Sequence, residues 1–178
     1  MKRSAGVLMY QVVGGELRVL LVHPGGPLFT KRDLGWWSIP KGEYLEGEDP
    51  IMAAVRELWE ETGAEVDVAD LIELGSVRQK SGKVVTGWAV EADFDVTVLV
   101  SNLFELEWPP RSGTMQEFPE VDRAEWFGAA AAREKINSAQ AAFIDRLEAL
   151  LAEGAGGSGG TNDADDTVDA DDARGVAG

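Results

Sequence analysis

Three glutamates, Glu57, Glu60 and Glu61, sit within five consecutive positions of one another. On a helical wheel advancing about 100° per residue, Glu61 falls about 40° and Glu60 about −60° from Glu57, so the three carboxylates share one face. Like charges at this spacing repel by a few tenths of a kcal/mol when exposed, and by more as water is withdrawn. Such a run is either a solvated acidic face or a cluster that gathers a compensating cation. The chain has no cysteine and a single histidine, His23. Any metal held here is therefore bound mainly by oxygen, which points to Mg²⁺, with Mn²⁺ as a substitute.

The element that must carry these acids is marked at both ends. Asp49-Pro50 offers an N-cap acceptor followed by a proline whose missing N–H costs nothing at the first helical position. Gly63 is the matching stop, because glycine readily takes the left-handed conformation that closes a helix. About thirteen residues lie between them. Ile51, Met52, Val55, Leu58 and Trp59 fall on the side of the wheel away from the acids, the expected docking face.

Around this helix the chain reads as sheet. Gly6–Val13 and Glu16–His23 are rich in β-formers and flank Gly14-Gly15, the pattern of a hairpin. Pro24-Gly25-Gly26-Pro27 ends the second strand, and Trp36–Ile39 is a further short strand candidate. Leu71–Gln79 and Val84–Ala92 flank Ser81-Gly82-Lys83 as a second hairpin, with Val96–Val100 and Leu103–Trp108 as additional extended segments. Trp108–Val121 is polar and contains prolines. It reads as a loop, and long loops in compact domains are commonly functional, which makes it a lid candidate. Ala124–Phe127 is a last strand, Ala129–Ile136 is alanine-rich and helix-forming, and Ser138 is placed to cap an amphipathic helix carrying Phe143, Ile144, Leu147 and Leu151.

A chain of 178 residues with 44% apolar content is long enough for one compact domain, expected over residues 1–152. From residue 153 to 178 glycine, serine, alanine and aspartate dominate, with too little apolar surface to offset ordering entropy, so this segment is expected to be disordered. Seven acids against one base there contribute much of the −16 net charge. That charge argues against polymeric nucleic acid as a partner, since non-specific binding needs Lys and Arg on phosphates. No run reaches the roughly 18 apolar residues of a membrane span, and Gly14-Gly15 interrupts the N-terminal apolar run too early for a signal peptide. The expected address is the cytoplasm, with no membrane partner.

Gly42-Glu-Tyr-Leu-Glu-Gly-Glu48, followed by Arg56-Glu57-Leu58-Trp59-Glu60-Glu61-Thr62-Gly63-Ala64, resembles the complete signature of the Nudix hydrolase family. All seven strictly specified positions match: Gly42, Glu48, Arg56, Glu57, Glu60, Glu61 and Gly63. With each residue type at about 7%, chance agreement at a given start is on the order of one in 10⁸, so the solvated-face reading gives way. One departure is Ala64, smaller than the aliphatic residue usual at the close of the box, and it concerns packing rather than chemistry.

The resemblance implies an α/β fold, the Nudix α/β/α sandwich, with a mixed β-sheet between helices. It implies that Glu57, Glu60 and Glu61 belong to a catalytic metal site, that Glu48 lies close by, and that a main-chain carbonyl near Lys41-Gly42 is a further ligand. Arg56 would orient a box glutamate or meet substrate. The implied chemistry is hydrolysis of a diphosphate linkage, in which metal ions neutralise phosphate oxygens and activate water. The acid that takes the proton is left open between Glu57 inside the box and Glu117 or Glu120 on the later loop. Lys41, directly before the box, is a candidate for binding a non-reacting phosphate. The same lysine resembles enzymes acting on dinucleoside polyphosphates or diphosphoinositol phosphates, so a small-molecule nucleoside triphosphate or dinucleoside polyphosphate is the first expected substrate and a diphosphoinositol polyphosphate the runner-up. A non-catalytic ligand sensor is the competing class, but it predicts lost box acids, and every one is present. Trp36, Trp37 and Trp108 are candidates for stacking a base, His23 reads as structural, and a homodimer is consistent with the family.

Overall fold

The computed structural model describes residues 2–156. Its centre is strand β1 (Arg3–Val13), in which every residue from Ser4 to Tyr10 is buried. A strand covered on both faces reads as a continuous apolar run rather than an alternation. β1 meets β2 (Glu16–Pro24) across the Gly14-Gly15 turn in antiparallel register, with Val13 opposite Glu16 and Tyr10 opposite Val19. On its other edge it runs parallel to β5 (Val84–Glu91), with Val7 opposite Trp88. β4 (Ile72–Arg78) adds antiparallel outside β5, and β8 (Val121–Gly128) antiparallel outside β2. The strand order is β4-β5-β1-β2-β8, a mixed sheet, as expected.

Helices cover both faces. α1 (Pro50–Thr62) packs over Val7, Met9, Leu20 and Val22 through Ala53, Ala54 and Leu58. On the opposite face α2 (Ala129–Lys135) and α3 (Ala141–Gly156) pack Ala132, Phe143, Ile144 and Leu147 over Leu8, Tyr10, Val19 and Leu21. Residues alternate strictly between the two cores along β1 and β2, the period-two consequence of strand geometry. The three-layer α/β/α arrangement follows.

One local feature of the sheet prepares the site. Beyond the Tyr10–Val19 pair, β1 and β2 splay, and the segment after Trp36 fills the fork. Ser38 exchanges both main-chain hydrogen bonds with Val22 at 2.9 and 3.0 Å, and Val7 N–H donates to the Pro40 carbonyl at 3.0 Å. The short strand β3 (Lys41–Glu43) then continues along the same edge of β1, with Lys41 opposite Gly6. Gly6 is needed there, because a β-carbon on it would lie 2.4 Å from the Pro40 carbonyl oxygen.

Several expectations need correction. Trp36–Ile39 forms two isolated bridges rather than a strand, because it is wedged between strands that already pair elsewhere. Val96–Val98 is a turn of 3₁₀ helix, capped by Asp95 accepting from Thr97 N–H at 2.9 Å. The supposed loop Trp108–Val121 is structured in part: β7 (Met115–Pro119) pairs with β6 (Leu103–Glu107) as a separate two-stranded sheet. The pattern of β7 is faint because it is mostly exposed and shows no apolar alternation, and the part without helix or strand is shorter than expected, residues 108–114. Ser138 does not cap α3. Asn137 Oδ1 accepts from Ala139 N–H at 3.1 Å, and the helix begins at Ala141.

The docking face of α1 also differs from expectation. Met52 and Trp59 are each 54% exposed, while Ala53, Ala54 and Leu58 are fully buried. Small side chains let the helix lie close to the sheet, and a wheel weighted by large apolar residues overlooks them. Finally, α3 continues to Gly156, four residues into the segment expected to be disordered; the rest of that segment, 157–178, lies outside the described residues. Among the described residues no helix is long and apolar enough to cross a membrane.

Candidate active site

The acids stand on a helix whose ends are built as expected. Asp49 Oδ1 accepts from Ile51 N–H at 3.1 Å and Pro50 takes the first helical position. Gly63 closes the helix at φ 79°, with its N–H donating to the Trp59 carbonyl at 2.8 Å. Thr62 Oγ1 donates to the Leu58 carbonyl at 2.6 Å and accepts from Ala64 N–H at 3.1 Å, which satisfies the last turn internally.

Arg56 is the hub of the acidic face. Its Nη1 donates to Glu57 Oε1 at 2.6 Å and to Glu60 Oε2 at 3.1 Å, and its Nη2 donates to Glu48 Oε1 at 3.2 Å. One planar guanidinium thus holds three carboxylates, two from α1 and one from the loop before it. Glu48 is fixed in turn by Leu45 N–H, which donates to its Oε2 at 3.2 Å. Glu57 is buried, and its carboxylate lies against the main chain at residue 42: a β-carbon built on Gly42 would sit 1.8 Å from Glu57 Oε2. Glycine is required at 42 to leave that room. Burial raises the Glu57 pKa, against the pull of Arg56.

Glu61 stands one turn further along the same helix and also faces β3. Its Oε2 accepts from Lys41 N–H at 2.9 Å. Burial pushes its carboxyl up to about 7, opposed by the Lys41 charge and the Lys41 N–H. Lys41 is itself lowered by burial, with Glu61 acting to hold its charge. A cavity of about 190 Å³ opens beside this pair, and its wall includes Trp36, Lys41, Glu61, Glu120, Asn137 and Gln140.

Glu120 follows β7 directly and is anchored by its main chain, its N–H donating to the Asn102 carbonyl at 2.8 Å and its carbonyl accepting from Gly25 N–H at 2.9 Å. Its carboxyl is raised by burial and by Glu60, so this acid is brought to the box from 60 positions away. Glu117 is not. It stands opposite Glu105 in the β6–β7 ladder, exposed and away from the cavity. Among the described residues no three acidic or imidazole side chains converge at metal-ligand spacing, because Glu48, Glu57 and Glu60 turn toward Arg56 instead.

Of the three tryptophans, Trp36 is 41% exposed on the cavity wall, Trp37 is buried beneath it, and Trp108 sits outside the cavity at the far end of the β6–β7 hairpin. His23 is structural in the expected sense. Fully buried, it places Nδ1 2.7 Å from Asp122 Oδ1 and Nε2 2.7 Å from the Arg32 carbonyl. Sequence reasoning missed Asn137 and Gln140. The one available signal was a glutamine at the buried edge of an amphipathic helix.

Comparison with known proteins bears on this arrangement. The family model described as NUDIX domain matches residues 2–147. An RNA pyrophosphohydrolase of Roseobacter denitrificans is 41% identical over 58 residues, which cover 30% of this chain and 36% of that protein. The matched stretch thus spans about a third of the length of that relative. Among solved structures, a binary complex of the Ap4A hydrolase of C. elegans aligns with 86% of this chain and 99% of its own, at 21% identity and a TM-score of 0.57. The solution structure of the E. coli ORF135 protein aligns with 86% of this chain and 92% of its own, at 23% identity and a TM-score of 0.54. At those identities the two structures speak for the fold.

Proposed function

Because the chain belongs to the NUDIX domain family, we propose that it is a hydrolase cleaving a phosphoanhydride bond in a nucleoside polyphosphate, a nucleoside triphosphate or dinucleoside polyphosphate, with a divalent cation. One observation carries the reading. Glu57 and Glu61 are raised by burial, and Glu61 shares a cavity wall with Lys41 and with Glu120, whose carboxyl is raised in part by Glu60. Negative charge gathered where water is scarce is stabilised by a cation and serves a substrate that arrives with one.

The donor set suits a hard ion: every candidate ligand is oxygen, which favours Mg²⁺ or Mn²⁺. Glu57, Glu60 and Glu61, with Glu48 and the main-chain carbonyl at Lys41, would hold it. When bound, such an ion neutralises diphosphate oxygens and stabilises charge on the leaving phosphate. Arg56 positions Glu48, Glu57 and Glu60, so its role is orientation. Lys41 supplies a point charge for a phosphate of the substrate. Glu120, whose carboxylate has no hydrogen-bond partner among the described residues, takes the proton of the attacking water, a task for which Glu57 is tied down by Arg56. Trp36 offers its exposed ring to the base.

The name of the relatives introduces a second substrate class, an RNA carrying a pyrophosphate linkage. The net charge of −16 favours the small nucleotide, since a polymer brings further phosphates with few basic residues to meet them.

The test is turnover of nucleoside triphosphates, dinucleoside polyphosphates, nucleotide sugars, diphosphoinositol phosphates and 5′-triphosphorylated RNA with and without Mg²⁺, in wild type, Glu60→Gln and Glu61→Gln. Metal-dependent turnover of one nucleotide class, lost by at least about 100-fold in both variants, is the expected result, in keeping with removal of a charge-stabilising group. No metal-dependent turnover of any compound would refute it and favour a binding module.

A further inference from the structure

His23 is the last residue of β2 paired in step with β8, and the register shifts between His23 and Pro24. From there the chain runs out through residues 24–35 and returns as Trp36, which lines the cavity. The ring of His23, fully buried at the root of this loop, meets an acceptor at each nitrogen: Asp122 Oδ1 lies 2.7 Å from Nδ1, and the Arg32 carbonyl oxygen 2.7 Å from Nε2. A carbonyl only accepts, so Nε2 carries a proton. A second proton lies between Nδ1 and Oδ1, since a bare ring nitrogen and an ionised carboxylate are both acceptors and form no hydrogen bond at that distance. A neutral imidazole beside an ionised carboxylate is one proton short, and either tautomer leaves a lone pair against an oxygen.

The charges around this bridge are of both signs. Arg123, opposite His23 in the ladder, has Nε 3.6 Å from Asp122 Oδ1 and its guanidinium 5.2 Å from the centre of the Trp37 ring. Trp37 meets the His23 ring edge-on at 5.1 Å and donates from Nε1 to Asp33 at 2.9 Å, and Asp33 pairs with Lys135 of α2 at 2.6 Å. Asp122 is the acid in contact with the imidazole.

Both ends of the bridge lead to the site. Arg32, held by its carbonyl, lays its guanidinium 4.7 Å from the centre of the Trp36 ring, and Phe29 of the same loop flanks that ring at 5.8 Å. Asp122 lies two positions beyond Glu120, whose carbonyl accepts from Gly25 N–H at the start of the loop. We propose that His23 is a positioning residue: with one proton held against Asp122 and another given to Arg32, it locks Trp36 and Glu120 into one arrangement, and loss of the first proton releases the loop. Histidine is the side chain that ordinarily changes charge between about pH 5 and 8, so the lock is closed in acid and open in base. The roles of Trp36 and Glu120 rest on the proposed hydrolase reading; the proton-held lock does not.

The chain has one histidine, so NMR of the ring nitrogens in the ¹⁵N-labelled full chain reads this residue alone. Two ring N–H protons are expected at pH 6 and one at pH 9. Trypsin cleavage after Lys31 and Arg32, both exposed on the loop, is measured relative to cleavage after the exposed Lys80, which cancels the pH dependence of the protease. That ratio is expected to rise at least about fivefold over the same range, the scale of one hydrogen bond lost. Asp122→Asn keeps the bridge at either pH, because its amide can turn oxygen or nitrogen to Nδ1. In that variant the cleavage ratio is expected to stay within about twofold, and kcat/KM of wild type divided by that of the variant should fall at least about fivefold from pH 6 to pH 9. A ring that keeps the same number of protons throughout, or loses one with no change in cleavage, overturns the inference, as does an equal pH response in the two proteins. Should the variant fail to fold, the ring and cleavage measurements on wild type decide. Absence of metal-dependent turnover in both proteins refutes the parent reading alone, because the lock is read by the ring and by cleavage without substrate.

Discussion

The carboxylate of Glu57 occupies the space where a side chain on residue 42 would begin, with Oε2 1.8 Å from a β-carbon built on Gly42. A helix acid and a strand glycine, fifteen positions apart, are therefore one structural unit. Gly42→Ala is expected to push Glu57 out of its place and loosen its bond to Arg56. Activity should fall by at least about 100-fold, because a displacement near 1 Å at a catalytic group carries that scale of loss. Stability should fall by about 1–3 kcal/mol from overpacking. Steady-state kinetics alongside urea unfolding separate the two effects; activity within threefold of wild type would contradict the relationship.

Glu61 makes the metal-free protein sensitive to pH. Its folded-state pKa, about 7, lies above the ordinary carboxylate value of 4.5, so the folded state binds the proton more tightly than the unfolded chain. Its contribution to stability is then fully present below about pH 4.5 and lost as pH rises through 7. Urea midpoints measured in EDTA between pH 5 and 8 are expected to fall for wild type relative to Glu61→Gln, by an amount of order a few kcal/mol at most. Adding Mg²⁺ at pH 8 should recover the difference in wild type only. Parallel pH curves for the two proteins would count against the assignment.

Glu120 and Glu117 were equivalent candidates in the sequence and are not equivalent in the fold. Glu120→Gln is expected to lower kcat by about 10²- to 10⁴-fold, the usual yield of a general base, and to remove the acidic limb of the pH–rate profile. Glu117→Gln should stay within about twofold, since its carboxylate lies on the hairpin away from the cavity wall that Glu120 joins. Equal losses in both variants would place the proton acceptor elsewhere.

The seating of α1 can be checked through neighbouring residues. Leu58 is fully buried and Trp59 is 54% exposed. Leu58→Ala should cost about 2–5 kcal/mol, the usual range for such a truncation in a core, whereas Trp59→Ser should stay within about 0.5 kcal/mol. Chemical denaturation of both variants reads the contrast directly, and a reversal would mean that the helix is rotated about its axis.

The parts of this molecule that were legible in its sequence are those determined over short distances. The caps of α1 at Asp49 and Gly63, the hairpin at Gly14-Gly15 and the angular spacing of Glu57, Glu60 and Glu61 each depend on a few neighbouring residues. The part of the cavity wall formed by Asn137 and Gln140 was not legible. Gln140 meets Ile39 across 101 positions, and nothing in the local pattern of either residue announces the other. β7 was hidden for a different reason, since an exposed two-stranded ladder leaves no apolar rhythm to read. The docking face of α1 was misassigned because Ala53 and Ala54 carry little hydropathy, although their small size is what allows the close approach.

The β6–β7 hairpin forms a ladder of its own outside the main sheet, yet it hands the chain to Glu120, whose main chain is pinned to Asn102 and Gly25. Residues 103–119 can thus lengthen, shorten or drift over generations without breaking a hydrogen bond of the central sheet, while the acid at their root stays in register. The fold separates what can be varied from what must be inherited, and a graft exchanging this hairpin is the natural way to alter the periphery of the site and leave its chemistry intact.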